Sequence, residues 1–321
     1  MQLERQYFII WLTTNLEVEN IMLKFFLAFF IIVTTSLVQA MQPADLNKEN
    51  DKRIVVLEFS LLDNLNLLGV KPVGIGTSGG TRIEGSDPEY LHSIIISTPS
   101  VGAREAPNLE AISSLKPDLI IGDIDFNHNI KAQLEKIAPT ILLKGIFGSP
   151  EQQITNIKLL ADLTQTKADA VIATYHKIYA QAQTVANKTN KTKMLIGFPT
   201  TNNSFNALAN NSITTQILAT LGKENMITQN TASQLYELSV EGLLAMNPEQ
   251  IVILFSNNDH SAYLHLQKNP LWQQLNAVKN NKVYFADRNI WGKSHGIQAL
   301  ELMYQQGIQS GFLANTIAKN Q

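Results

Sequence analysis

Two segments of the chain share one order of apolar and polar positions. Residues 107–123 read PNLEAISSLKPDLIIGD, and residues 238–254 read LSVEGLLAMNPEQIVIL. In each segment a Glu (Glu110, Glu241) precedes a short apolar run, a Pro follows seven residues after the Glu, and a β-branched run comes next. Pro stops a helix, and a short apolar run bounded by turn residues is typical of a buried strand. The repeat predicts one helix–strand unit in each half of the chain.

The remaining hydrophobic pattern predicts further alternation of strands and helices. Helices are predicted at 61–68 and 212–221, the second ending at Gly222, and strands at 53–59, 137–143, 193–197, 251–255 and 282–285. This alternation is typical of an α/β fold with parallel sheets. Because ligands meet parallel strands at their carboxyl ends, four following segments are predicted to face one cleft. These segments are 122–127, 199–206, 256–260 and 289–295.

One helical pattern nearly free of Gly and Pro runs from Ser149 to Lys188 after an opening Ser-Pro-Glu, which is a typical helix start. It predicts a single rigid helix between two α/β lobes. The predicted domains are therefore an N-terminal lobe at 41–148, a connecting helix at 149–188 and a C-terminal lobe at 189–321, with the ligand cleft between the lobes.

Residues 1–40 are predicted to be a targeting segment. Residues 22–40 read MLKFFLAFFIIVTTSLVQA, with a Lys, an apolar core too short to span a bilayer comfortably, and a small-residue end. Translation is expected to start at Met22, because the preceding residues include three Glu that suit a signal poorly. We expect cleavage of the signal and a product that is free in a periplasm; an uncleaved membrane anchor is the alternative.

Composition narrows the function further. The chain has 321 residues, 45% hydrophobic and 16% charged, which is enough for two ordinary globular lobes. A formal net charge of -2 and the lack of a basic stripe argue against a nucleic-acid partner. The chain has no Cys, so disulfides, thiolate metal sites, Cys nucleophiles and a lipid-anchored Cys are excluded.

Three strings carry a resemblance to a known family. They are VGAREAPNLEAISSLKPDLIIGD at 101–123, IAPTILLK at 137–144, and the segment 270–296 with its late PLW and W. The chain resembles the iron-siderophore substrate-binding proteins of ABC importers, and among them most closely the ferric-citrate binding proteins. The resemblance implies a class III periplasmic binding protein, whose lobes are joined by one long helix. It also implies an inner-membrane permease with its ATPase as partners, a ferric chelate as ligand and no cofactor.

The resemblance also implies site residues. The Arg of the VG-x-R phrase matches Arg104, and the late aromatic loop matches Trp291, Lys293 and, more weakly, His295. A guanidinium group suits this task because it meets a carboxylate or hydroxamate bidentately. A surface ion pair of Arg104 with Glu105 or Glu110 is the structural alternative. Trp291 could instead be a core residue, although its neighbours in 292–294 make a buried position less expected. Further cleft cations and donors are predicted at Arg82, Arg288, Thr200, Thr201, Ser204 and Ser256.

Glu110 and Glu241 match the family's docking residues, which meet basic pockets of the two permease subunits. The structural alternative is that each Glu stabilises a helix N-terminus through the macrodipole, and both can hold.

Alternative ligands and functions remain open at this point. Haem or cobalamin would suit the same class. Capture of a bare metal ion is less expected, because the six His show no ligand-type spacing. No G-x-S-x-G, H-E-x-x-H or P-loop motif indicates an enzyme. Asp123 and Asp125 could act as a catalytic carboxylate pair, but in a binding protein they would set polarity or hold a neighbouring loop.

Overall fold

The computed structural model describes residues 52–80, 87–186, 191–256, 259–292 and 296–318. The predicted signal segment lies outside these ranges, as do the predicted site residues Arg82, Lys293 and His295.

The N-terminal lobe contains a five-stranded sheet with the order β3-β2-β1-β4-β5 and parallel pairing throughout. Its strands are β1 (Ile54–Val56), β2 (Gly74–Thr77), β3 (Ser100–Ala103), β4 (Leu119–Asp123) and β5 (Thr140–Leu143). Its helices are α1 (Phe59–Leu67), α2 (His92–Ser97), α3 (Leu109–Ser114), α4 (Ile124–Asn127) and α5 (Lys131–Leu134). The strand order reverses direction between β1 and β4, which is where such a sheet binds ligands.

Both faces of this sheet are covered, which explains why its strands read as continuous apolar runs. Ile54, Val56 and Ile121 pack into one core cluster, whereas Val55 and Ile120 pack into another on the opposite face. The central strands β1 and β4 are completely buried.

The connection between the lobes is helical, but it is not the single helix predicted at 149–188. It consists of α6 (Pro150–Thr164) and α7 (Asp169–Ala186). Ser149 caps α6 as predicted, with its hydroxyl accepting from Gln152 N. The helix ends because Gln165 adopts a left-handed conformation, with φ 54° and ψ 34°. The hydroxyl of Thr164 bonds locally to Leu160 O and Thr166 Oγ1, which favours a helix end.

The C-terminal lobe contains a six-stranded mixed sheet with the order β11-β10-β6-β7-β9, and β8 pairs with β6. Its strands are β6 (Thr192–Pro199), β7 (Ser204–Leu208), β8 (Lys223–Asn225), β9 (Leu235–Ser239), β10 (Gln250–Phe255) and β11 (Val283–Asp287). Its helices are α8 (Ile213–Thr220), α9 (Val240–Met246), α10 (Ser261–Leu266), α11 (Asn276–Lys279), α12 (Arg288–Trp291) and α13 (Ile297–Gln309). Gly222 follows α8 with φ 74°, as its predicted role at the helix end requires.

The two helix–strand repeats are confirmed as α3–β4 and α9–β10. Each helix is followed by a left-handed residue, Lys116 (φ 45°) or Asn247 (φ 48°), and then by the Pro. β9 is antiparallel to β7, which is antiparallel to β6, so β9 runs parallel to β6. Both helices therefore start at the carboxyl edge of their sheet.

A contact between the lobes lies at the start of α13. The N-cap of this helix is Gly296, which has no side chain to cap it. Instead, Asp63 of α1 accepts from Gln298 N (3.3 Å) and Ala299 N (3.1 Å), and Asn64 accepts from Ile297 N (3.1 Å). Only Gly fits at 296, because a Cβ there would overlap the Asp63 carboxylate. The two lobes are thus joined by α13 as well as by α6 and α7.

No helix in the described part of the chain is long and apolar enough to cross a bilayer.

Candidate functional site at the carboxyl edges of the two sheets

Arg104 lies just after β3, at the carboxyl edge of the N-terminal sheet, and is 9% exposed. Its Nη1 atom donates to Glu58 Oε1 at 3.1 Å, and Nη2 lies 3.5 Å from Glu105 Oε1. The ion pair of Arg104 with Glu105 is therefore the longer of its two ion pairs among the described residues. The nearer partner is Glu58, which lies two residues after β1. Its Nε atom is buried without a partner.

Glu58 is fully buried, and this burial raises the pKa of its carboxyl group, although Arg104 and Ser60 oppose the rise. The carboxylate accepts from Ser60 N at 2.6 Å and from the Ser60 hydroxyl. These contacts hold Glu58 in place, and Glu58 in turn holds one nitrogen of the guanidinium group. The sequence did not predict that Glu58 would be a partner of Arg104, because the two residues are 46 positions apart and meet only in the fold.

Aromatic rings frame the guanidinium group. Arg104 Cζ lies 4.3 Å from the ring centroid of Phe59 and 5.7 Å from that of Phe126. Phe147, which is 38% exposed, packs edge-on against Phe126 with centroids 6.3 Å apart. Cation–π contacts of this kind contribute about 0.5–2 kcal/mol each and restrict the orientation of the guanidinium plane.

Asp123, at the end of β4, organises the surrounding loops. Its Oδ2 atom accepts from Gly145 N (2.8 Å) and Ile146 N (3.0 Å), and its Oδ1 atom accepts from Asp125 N (2.7 Å) and Phe126 N (3.3 Å). Burial raises the pKa of Asp123, and these donors oppose the rise. The prediction that Asp123 would hold a neighbouring loop is confirmed.

Gly145 must lack a side chain at this point. A Cβ there would lie 2.7 Å from both Asp123 Oδ2 and Ser60 Oγ. The Asp123 loop contacts thus place Phe126 beside Arg104 and Phe147 against Phe126.

The structure corrects the expectation that Trp291 lines the cleft with an exposed ring. Trp291 is fully buried, its ring packs 5.4 Å from that of Phe312, and its Nε1 donates to Gln306 Oε1 at 2.7 Å. The reason is local: Asp287 caps the short helix α12, and the last residue of this turn faces the core beneath α13.

Three of the predicted hydroxyl donors, Thr200, Ser204 and Ser256, lie at strand ends of the C-terminal lobe. Thr200 Oγ1 lies 2.7 Å from Ser204 Oγ, which donates to Glu237 Oε1 at 2.6 Å. The Thr200 proton is therefore directed to Ser204, within the β6–β7 hairpin. Ser256 follows β10, and its Oγ atom is buried without a partner, so it is the best placed of the three to donate to a ligand.

A cavity of about 600 Å³ opens between the lobes. Its wall combines Glu89 of the N-terminal lobe with C-terminal residues that include Phe255, His260, Phe285 and Asp287. Arg104 does not line this cavity. Among the predicted site residues that the structure describes, Arg104, Thr200 and Ser256 lie at the carboxyl edges of the two sheets, and none of these three lines this cavity.

The described residues contain no group of three or more His, Asp or Glu side chains placed to hold a metal ion.

Glu110 and Glu241 occupy the same position in their helices. Each is the second residue after the N-cap, which is Asn108 in α3 and Ser239 in α9, and each is exposed. Backbone and Ser239 hydrogen bonds lower the pKa of Glu241, as expected at a helix N-terminus.

The chain belongs to the periplasmic binding protein family, whose sequence profile matches residues 54–290. It is 34% identical over 256 residues to the Fe(3+)-citrate-binding protein YfmC of Bacillus subtilis, covering 78% of each chain. It is 30% identical over 255 residues to the Fe(3+) dicitrate-binding periplasmic protein FecB of Escherichia coli, covering 79% of this chain and 83% of FecB.

The fold is that of solved proteins of this kind. The crystal structure of SirA from Staphylococcus aureus superposes with a TM-score of 0.66 and 26% identity, covering 80% of this chain and 98% of SirA. The predicted α/β fold of two lobes and the resemblance to siderophore-binding proteins are confirmed.

Proposed function

We propose that the protein is the periplasmic substrate-binding component of an ABC importer that captures a ferric chelate, with ferric citrate as the first candidate. The observation that carries the proposal is the identity of 34% and 30% to two ferric-citrate binding proteins, over more than three quarters of the chain. Arg104 supports the same proposal, because its guanidinium group is held by Glu58 at the carboxyl edge of the N-terminal sheet and could bind an anionic chelate.

Ferric citrate complexes are anionic and present carboxylate oxygens at their surface. Glu58 occupies Nη1 of Arg104, and Phe59 and Phe126 fix the plane of the guanidinium group. A chelate carboxylate would then meet the Nη2 side of Arg104 in a fixed orientation, which limits the entropy lost on binding.

The protein captures the chelate because its closed form binds the chelate more tightly than its open form does. A chelate that contacts both lobes favours the closed form, because only that form makes all the contacts. Since α6, α7 and α13 all join the lobes, closure is a small hinge motion. Glu110 and Glu241 then present the loaded protein to the two permease subunits.

A haem ligand is the second candidate. The chain is 26% identical over 292 residues to the high-affinity heme uptake system protein IsdE of Staphylococcus aureus, covering 87% of this chain. The half-exposed ring of Phe147 beside Phe126 could pack against a porphyrin.

Titration calorimetry with ferric citrate, metal-free citrate, a ferric hydroxamate and haemin tests the proposal. We expect saturable binding of ferric citrate that is weakened about tenfold or more in Arg104→Gln, which corresponds to about 1.4 kcal/mol. The matched control is Arg53→Gln, an exposed Arg of the same lobe that bonds main-chain carbonyls. If only haemin binds, haem takes the place of ferric citrate as the proposed ligand. If none of the four compounds binds, the proposal is overturned.

A further inference from the structure

A second, smaller cavity lies within the C-terminal lobe. It has a volume of about 150 Å³ and is bounded by Phe198 of β6, the start of α8 at Ser212 and Thr214, and Arg288 and Trp291 of α12. Arg288 is its only charged lining residue within the described part of the chain. It lies at the carboxyl edge of the sheet, where β6 and β11 end.

Within the described part of the chain, Arg288 faces an aromatic ring and no carboxylate. Its Cζ atom lies 3.7 Å from the ring centroid of Phe198, and its burial lowers the pKa of the guanidinium group. Arg288 takes part in none of the ion pairs found among the described residues. Arg288 is half-buried, and a partly desolvated charge without a carboxylate partner among the described residues favours an anion from outside the chain.

Arg104 offers a comparison within the same molecule. Its charge faces the buried carboxylate of Glu58 at 3.1 Å, whereas the charge of Arg288 faces an aromatic ring. Among the described residues, Arg288 is therefore the less compensated of these two guanidinium groups.

The first turn of α8 lines the same cavity. Ser212 caps this eight-residue helix, and the backbone N–H groups of Ile213 and Thr214 lie in its first turn, where donors have no partner within a helix. The positive end of the helix dipole favours an anion at this end. These groups supplement Arg288.

We propose that this cavity is a carboxylate subsite, in which Arg288 binds one carboxylate arm of the chelate while the remainder stays in the cleft. The inference rests on the proposed function and deepens it. A cavity of about 150 Å³ suits one arm and not a whole ferric dicitrate. The planar guanidinium group can bind both oxygens of a carboxylate, and the Phe198 ring beneath it holds the plane.

The test combines affinity with a local signal. In the chain carrying Trp11→Phe and Trp272→Phe, Trp291 is the only Trp and forms part of the cavity wall. We expect ferric citrate to change its fluorescence, and Arg288→Gln to abolish the change and weaken calorimetric binding at least about tenfold. Arg288→Lys, which keeps the charge but not the fork, should give an intermediate affinity. Arg53→Gln should bind as the parent does.

The outcomes separate the subsite from the proposed function. If the parent binds ferric citrate and Arg288→Gln and Arg288→Lys bind it equally well, the function stands and the subsite is wrong. If no ferric chelate binds but metal-free citrate still changes the Trp291 signal through Arg288, the subsite stands and the proposed function fails. An equal response to sulfate would overturn the carboxylate assignment. If neither citrate form alters the signal, the subsite is also wrong.

Discussion

At the scale of single residues, the electrostatics of the N-terminal site depend on one buried pair. Glu58 and Arg104 lie 3.1 Å apart with side-chain exposures of 0% and 11%. Removing one member of such a pair leaves the other charge buried without compensation. We therefore predict that Glu58→Gln and Arg104→Gln each lower the free energy of unfolding by about 3 kcal/mol, measured by urea denaturation.

The double variant tests whether the two side chains act as a pair. Because neither charge is left alone, the loss in Glu58→Gln/Arg104→Gln should be clearly smaller than the sum of the two single losses. Simple additivity would show that the two charges are energetically independent. Lys131→Gln with Glu135→Gln is the matched exposed pair, and its cycle should show a coupling below about 1 kcal/mol.

Trp291 shows where residue-level inference from the sequence is weak. Its neighbours Gly292, Lys293 and Ser294 are polar, which indicated a cleft position, but a one-turn helix directs its ring into the core. Trp291→Phe should lower the free energy of unfolding by about 1–3 kcal/mol, through lost volume and the lost bond to Gln306. Thermal unfolding measures this, and an unchanged midpoint would contradict the buried placement.

At the scale of elements, the strongest patterns were predicted well and the weakest were not. Continuous apolar runs revealed β4 and β10, because both are buried on two faces. β7 (SFNAL) is short and begins directly after Asn202 and Asn203, so its first residues fell within the predicted polar segment 199–206. β9 (LYELS) is equally short and carries polar residues, and its pattern predicted no strand. The pairing of Glu58 with Arg104 joins residues 46 positions apart and depends on the fold.

The break between α6 and α7 gives a test of backbone conformation. Gln165 has φ 54°, a region that costs an L-residue about 1 kcal/mol and costs Gly little. Gln165→Gly should therefore raise the free energy of unfolding by about 0.5–1 kcal/mol in urea denaturation. The same substitution at exposed Gln181, within α7, should lower it by about 1 kcal/mol. Two losses of equal size would mean that α6 and α7 form one continuous helix.

The cap of α13 by Asp63 predicts a pH dependence. Burial raises the pKa of Asp63 from 3.8 to about 7, although its bonds to Ala299, Gln298 and Tyr90 oppose the rise; the nearby Glu301 adds to it. Between these values the folded chain holds a proton that the unfolded chain releases. This group's contribution to stability therefore falls as pH rises from about 4 to about 7, and levels off above that.

Urea denaturation across this pH range measures the effect. Asp63→Asn should lose this fall, because an amide does not titrate, and should keep part of the cap through its carbonyl oxygen. Asp259→Asn is the control: Asp259 is exposed, and hydrogen bonds from Ser261 lower its pKa, so the slope should persist in that variant. An Asp63→Asn curve parallel to that of the parent would exclude Asp63 as the source.

At the scale of the whole molecule, the helix–strand unit occurs once in each lobe. The folding of either lobe alone does not require this repeat. Glu110 and Glu241 take the same position in α3 and α9, both are exposed, and both helices start at the carboxyl edge of a sheet. A macrodipole contribution explains each Glu separately but not their matched placement in two lobes. The proposed docking to a permease with two related subunits would account for both.

We therefore predict that Glu110→Arg or Glu241→Arg abolishes chelate uptake by whole cells while calorimetric affinity for the chelate stays unchanged. A reversed charge would repel the basic pockets that the resemblance implies for the permease. Both Glu side chains are exposed, whereas Arg104 is buried, so the reversal should not reach the chelate. Glu249→Arg is the matched control, because this exposed Glu precedes β10 at the opposite edge of the sheet and should leave uptake intact. Loss of affinity in proportion to uptake would place the two Glu in the ligand site, and equal loss in Glu249→Arg would indicate a general charge effect.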